Sequence, residues 1–248
     1  LFFSKHTPPN PILSGLVGSE MCIRDSCDAT SGIFAMEMDY NKLDVITWSW
    51  QKVLGGEASH GMLALSPRAV QRLENHIPSW PIPKLFRIAH KKKLIKGIFE
   101  GSTINTPSMI CVEDALDGLN WAEKNGGLNF LLDTSMNSFD LIHEWIQNND
   151  WVTFLSENKN REYLSNTGIT FKICENWYVS KSEDDQRLIV KEICKLLSDE
   201  NVAFDINGYA KAPPSFRVWA GGTVETNNIK LLLPWLEWAY FVVKEAHA

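Results

Sequence analysis

The sequence predicts an α/β protein followed by a smaller α+β domain. Three observations carry this. Two compact apolar runs of strand length, residues 43–48 and 60–65, lie on either side of a lysine-bearing turn. Two stretches of helical periodicity follow, residues 108–124 and 128–149, divided by Gly126-Gly127. From Trp151 onward strand-sized and helix-sized pieces alternate, which reads as a sheet with helices packed on it.

Composition narrows the function classes. A chain of 248 residues can build one large domain or two modest ones, each with its own core. Hydrophobic content of 44% and charged content of 22% are those of an ordinary globular protein. A net charge of -6 offers no basic field to a nucleic acid. The five cysteines (Cys22, Cys27, Cys111, Cys174, Cys194) are odd in number and scattered, with no C-x-x-C pair. That pattern points to a reducing, cytoplasmic setting and away from disulfides or zinc. The six histidines show no ligand spacing, so no metal is expected. Residues 231–243 form the longest apolar stretch, but Pro234 and Glu237 interrupt it, and it is too short to span a bilayer.

Taken in order, residues 1–26 have no structural period, and Pro8, Pro9 and Pro11 break any helix. Within them, Leu16-Val-Gly-Ser-Glu-Met-Cys-Ile-Arg-Asp-Ser26 resembles a translated sequencing adapter. Residues 1–26 are therefore expected to be a non-native leader, with a first domain over 27–150 and a second over 151–248. Cys27-Asp-Ala-Thr-Ser31 suits a loop leaving a strand end, where Asp28 is an N-cap or something more. After the apolar run of 43–48, broken by Asp44, comes Trp48-Ser-Trp-Gln-Lys-Val-Leu-Gly-Gly56. A lysine between two buried strands is unusual. Either Lys52 snorkels to water, or its neutral amine is kept for condensation with a carbonyl. His60, close behind, reads as structural.

Ser66-Pro67 opens a helix with Val70, Leu73 and His76 on one face. Residues 77–83 are a proline-rich crossing, and the basic run 90–96 reads as a solvated loop, phosphate recognition being the lesser alternative. Gly101-Ser-Thr-Ile-Asn-Thr-Pro107 supplies donors that cap the next helix or hold an anion at its N-terminus. The helix over 128–149 reads as a connector that closes the first domain. Beyond it, residues 169–173, 202–206 and 215–220 read as strands, Ser182 opens a helix to residue 197, and residues 226–246 form a closing helix. In Phe216-Arg-Val-Trp219 the period of two sets Arg217 on the face opposite Phe216 and Val218.

An Asp at a strand end, a Lys after the next strand, an Asn-Thr loop and an Arg on a late strand together resemble the C-terminal part of a fold-type I pyridoxal-phosphate transferase. The wording of Asp28-Ala-Thr-Ser31, Ser49-Trp-Gln-Lys-Val-Leu-Gly-Gly56, Asn105-Thr-Pro107 and Phe216-Arg-Val-Trp219 resembles the phosphoserine aminotransferase family. The resemblance implies part of a pyridoxal-phosphate-binding large domain followed by a small α+β domain. It makes Lys52 the cofactor-linking and proton-moving residue and Asp28 the partner of the pyridine nitrogen. It gives Gln51 to the cofactor phosphate, Asn105 and Thr106 to the phosphate of a neighbouring subunit in a homodimer, and Arg217 to the substrate α-carboxylate. The implied reaction moves the amino group of glutamate to 3-phosphohydroxypyruvate in L-serine biosynthesis. An alanine–glyoxylate-type aminotransferase, a cysteine desulfurase and an inactive packing or dimerisation fragment are the competing readings. The family's phosphate-cradling loop and ring-stacking aromatic precede the strand that ends at Asp28 and find no counterpart here. This chain is accordingly expected to bind the cofactor weakly and to be inactive.

Overall fold

The computed structural model describes residues 26–58 and 60–247. The leader expected over residues 1–26 lies outside them except for Ser26, which opens the first strand. The described residues form two compact units, one of residues 26–33 with 37–121, the other of residues 34–36 with 122–247.

The first unit is built on a three-stranded sheet. β1 (Ser26–Asp28) runs parallel to β2 (Val45–Ser49), with Cys27 opposite Ile46, and β3 (Gly61–Leu65) pairs antiparallel to β2. Cys27 and Ile46 are buried, as the apolar runs require. No residue of β3 is buried, so Lys52 does not stand between two core strands as expected. The polar break in the second strand has a structural use. Asp44 is buried, and its carboxylate accepts bonds from Ser66 Oγ (2.6 Å) and from both Nε (3.0 Å) and Nη2 (2.7 Å) of Arg68. Ser66 in turn caps α1 (Pro67–Asn75) by accepting from the amide of Ala69. One carboxylate thus ties the start of α1 to the base of β2. Val70 and Leu73 are half-buried on α1, whereas His76 is exposed at its C-cap.

The basic run is a hairpin turn and not an irregular loop. β4 (Ala89–His90) pairs with β5 (Lys93–Leu94), and the two turn residues Lys91 and Lys92 take φ of 48° and 61°. Positive φ at both positions matches the twist of a two-residue hairpin, although lysine is a costly choice there. α2 (Met109–Lys124) follows the turn-rich segment 101–107 and ends at Gly126 and Gly127, with φ of 116° and 69°.

In the second unit α3 (Gly127–Gln147) and α5 (Glu183–Asp199) pack against α6 (Thr226–Ala246). Beside them lies an antiparallel sheet of β6 (Val152–Phe154), β7 (Gly168–Ile173) and β8 (Phe216–Trp219), with the short α4 (Asn176–Val179) after β7. The core runs through Phe139, Ile142, Phe171, Ile193, Leu236 and Tyr240. The boundary differs from the expected 150/151 because α3 is claimed by this unit. Ser138 Oγ lies 3.0 Å from Thr226 Oγ1, and Trp145 Nε1 donates to Glu237 Oε1 at 2.5 Å. The strand expected over 202–206 is absent among the described residues. Asn201 and Asp205 adopt left-handed φ of 56° and 54°, which breaks any extended run, and only a single bridge joins Asn207 to Phe216. The short β6, unforeseen, pairs with the end of β7.

A polar knot closes the far end of this core. Glu175 Oε2 accepts from Lys244 Nζ (2.6 Å), Trp177 Nε1 (2.8 Å) and the hydroxyl of Tyr240, and the Tyr240 ring stacks flat on Trp151 at 3.9 Å. The bonds from Lys244 and Tyr240 hold the Glu175 carboxyl below its ordinary value of 4.5. A carboxylate depressed in the folded state contributes stability above the unfolded value and loses it as pH falls through the folded one. Unfolding free energy should therefore be level in this respect above pH 4.5 and decline below it. Glu175→Gln should flatten part of that acid limb in denaturant titrations run at several pH values.

Candidate active site

The turn carrying Lys52 is shaped by its own glycines and by α2. Gly56 N–H donates to Trp50 O (3.0 Å) and Gly55 N–H to Lys52 O (3.1 Å), with Gly55 at a φ of 70° that favours glycine. Val53 and Leu54 are buried beneath the turn, which leaves Trp50, Gln51 and Lys52 half-buried above them. The His60 ring leans on Trp50 at 4.9 Å, a packing role in keeping with the structural reading of that histidine. On this turn and the strand end before it, Gln51 Oε1 and Ser49 Oγ are buried polar atoms with no hydrogen-bond partner. Such atoms are rare unless a ligand or water meets them.

Asp28 reaches the same end of the sheet by strand pairing. It registers opposite Thr47, and the next amide, Ala29 N–H, donates to Thr47 O at 2.8 Å. Because β1 and β2 are parallel, Asp28 and the Lys52 turn both lie at the C-terminal ends of their strands, where α/β sheets bind ligands. Thr30 holds the carboxylate through its hydroxyl (2.6 Å) and its amide (3.1 Å), both on Oδ1. Burial pushes the Asp28 pKa up, but these bonds act the other way, and the carboxyl ends below its ordinary value. It is an anion ready for a cationic partner.

The remaining residues stand elsewhere. Asn105 and Thr106 are exposed in the first unit, where the Asn105 carbonyl accepts from Thr103 Oγ1 at 2.6 Å. Arg217 lies in the second unit, on β8. Its neighbours Phe216 and Val218 are buried and Arg217 itself is half-buried, as the alternation requires. Its Nη2 donates to Asp205 Oδ2 (3.0 Å), its guanidinium lies 4.5 Å from the Tyr209 ring centre, and its Nε is buried without a partner. The structure thus brings Asp28, Gln51 and Lys52 to one sheet edge, with Asn105 and Thr106 on an exposed segment of the same unit. Among the described residues no three His, Cys, Asp or Glu side chains gather as a metal site, and no helix is long and apolar enough to cross a membrane.

No family model matches the chain. Curated relatives do. The phosphoserine aminotransferase of Methanosarcina barkeri is 51% identical over 218 residues, covering 88% of this chain and 56% of that protein. Over most of its length the chain is similar to phosphoserine aminotransferases. It spans about half the length of the curated relatives it matches. Among solved structures, pyridoxal-phosphate-bound phosphoserine aminotransferase from Trichomonas vaginalis superposes with a TM-score of 0.67 at 16% identity, over 87% of this chain and 54% of that one. Alanine–glyoxylate aminotransferase from Nostoc gives 0.65 at 16% identity, over 86% and 53%. The fold is that of the fold-type I aminotransferases.

Ser49, Asp205 and Tyr209 escaped the sequence reading. Ser49 sat in plain view in the lysine motif, whereas Asp205 and Tyr209 meet Arg217 only through the folding of the loop before β8.

The placement of the Lys52 turn also depends on Gly118 of α2. A Cβ there would lie 2.9 Å from Leu54 O, a backbone atom that cannot swing aside. Gly118→Ala should cost about 1–3 kcal/mol of stability by overpacking, less the helix-propensity gain of about 1 kcal/mol. Chemical denaturation measures this, and an unchanged midpoint would show that the turn is not seated against α2.

Proposed function

We propose that this chain carries the lysine-bearing part of a phosphoserine aminotransferase, which moves the amino group of glutamate to 3-phosphohydroxypyruvate and yields phosphoserine and 2-oxoglutarate in L-serine biosynthesis. The observation that carries this reading is the 51% identity to the Methanosarcina barkeri enzyme over most of the chain. The residues present suit pyridoxal phosphate: an anionic carboxylate, a primary amine and unpartnered buried polar atoms share one sheet edge. When bound, pyridoxal phosphate supplies the carbonyl that accepts the amino group and a ring that takes up carbanion charge.

The protein's own groups have separable tasks. Asp28 pairs with the ring nitrogen and keeps it protonated. Lys52 Nζ holds the cofactor between turnovers and then carries the proton at the substrate Cα. Gln51 reaches the cofactor phosphate. Asn105 and Thr106, being exposed, suit the phosphate of a neighbouring subunit's cofactor in a homodimer. Arg217 grips the substrate α-carboxylate by a two-point fork, a geometry lysine lacks. A cytoplasmic setting fits Cys27, Cys111, Cys174 and Cys194, all free thiols.

A second reading, an aminotransferase of the same fold with other substrates, is favoured by the near-equal superposition on the Nostoc alanine–glyoxylate enzyme. In a full-length version of the protein, assays of glutamate with 3-phosphohydroxypyruvate against alanine with glyoxylate separate the two. In the same full-length version, Lys52→Ala should remove borohydride-stable labelling by pyridoxal phosphate at that peptide and lower amino transfer on the order of 10²–10⁴-fold, the weight of a positioned proton carrier. Turnover near the parent rate in Lys52→Ala would take the role away from Lys52.

A further inference from the structure

The loop between α5 and β8 does more than connect them. Asp205 is 87% exposed at its side chain, stands at a left-handed φ of 54°, and touches Arg217 through a single bond from Nη2. Arg217 is only 16% exposed, and the Nε beside that nitrogen is buried with no acceptor. Nε and Nη2 form the edge of a guanidinium that matches the two oxygens of one carboxylate. Here that edge is half used. The loop itself is fastened independently of the ion pair, since Arg217 N–H donates to Ile206 O (2.8 Å), Gly208 N–H donates to Ser215 O (2.8 Å) and Ile206 is buried. Tyr209 meanwhile lies on the guanidinium and holds its plane.

We propose that Asp205 is a placeholder for the substrate carboxylate on Arg217: an incoming carboxylate takes both Nε and Nη2 and turns the Asp205 side chain out to water, so that Asp205 sets how tightly carboxylate substrates bind. The proposal rests on the reading of Arg217 as the carboxylate-binding residue. The physical case is an asymmetry. Asp205 offers one bond from an exposed side chain that loses little on release, because exposed ion pairs are weak. A bidentate carboxylate satisfies a donor that is otherwise buried and unmet. Tyr209 keeps the guanidinium in place during the exchange, which makes it a positioning residue.

The test uses glutarate, a dicarboxylate without an amine, titrated into the whole chain by calorimetry, with the Arg217 Nε–H resonance followed by NMR. Asp205→Asn keeps the size and the tolerance of left-handed φ while removing the charge. It should bind glutarate about two- to fivefold more tightly than the parent chain, the weight of an exposed ion pair. In both proteins the Nε–H resonance should shift on binding. Arg217→Gln should abolish the binding in either background. Equal or weaker glutarate affinity in Asp205→Asn, or no shift of the Nε–H resonance, would overturn the placeholder while leaving Arg217 its assigned role if Arg217→Gln still loses binding. Undiminished binding by Arg217→Gln would overturn the reading of Arg217 itself, and the placeholder with it. Absence of binding by Asp205→Asn would also reject the placeholder.

Discussion

The parallel pairing of β1 with β2 is the constraint on which the chemistry of the first unit depends. A parallel ladder brings two C-terminal ends to the same edge, so the register of Asp28 opposite Thr47 places the acid beside the strand that leads into Lys52. An antiparallel pair would have sent Asp28 and the Lys52 turn to opposite edges. The anchor of Asp44 on Ser66 and Arg68 supports this from below, because it joins the other end of β2 to α1 through a bidentate ion pair whose acid is buried and whose arginine is exposed. Removing Arg68 would leave the buried Asp44 carboxylate without its countercharge, which is the costly direction in which to break the pair. The apolar run of the second strand thus contains one acid for a reason: it is the site of attachment, not a flaw in the pattern.

The second unit is organised by helix packing and not by its sheet. β6 and β8 are short, and the pairs that join α3 to α6 span some ninety residues of sequence, Ser138 to Thr226 and Trp145 to Glu237. Trp151 stacked on Tyr240, and Glu175 bridging Lys244, Trp177 and Tyr240, bring the entries and exits of these elements to one place. The result is a rigid backing for β8. Phe216 and Val218 are locked into it, so Arg217 between them has its backbone fixed while its guanidinium faces away from the core.

Local chemistry made much of this readable. Ser66-Pro67, Ser182 and Gly126-Gly127 mark helix ends because caps are short-range hydrogen-bond problems, and all of them stand where the sequence put them. The alternation in Phe216-Arg-Val-Trp219 was readable for the same reason. Long-range partners were not. The α3 helix carries an amphipathic pattern that says it packs, but nothing local says that its partner is α6, some ninety residues away. Residues 202–206 are apolar enough for a strand, yet the left-handed turns at Asn201 and Asp205 come from the need to leave α5 and reach β8. Of the candidate site, Asp28, Gln51 and Lys52 are legible as motif residues one by one, and their common sheet edge comes from the parallel pairing of β1 with β2. The burial of Lys52 was overstated because β3 is more exposed than its composition suggests.

The distribution of these groups bears on why the fold is a poor guide to substrate. Asp28, Gln51 and Lys52, which would serve any reaction of an amino acid with pyridoxal phosphate, are set by strand register in the first unit. Superposition of most of the chain agrees about equally well with a phosphoserine aminotransferase and an alanine–glyoxylate aminotransferase, 0.67 against 0.65. In the function proposed above, discrimination between substrates falls to groups such as Arg217, Asp205 and Tyr209, whose mutual positions come from one loop before β8. A loop fastened by two backbone bonds and one buried isoleucine can change its exposed side chains without disturbing β8. Selection for a different carboxylate partner can therefore act on residues 205–215 while the acid and the amine of the first unit stay as they are.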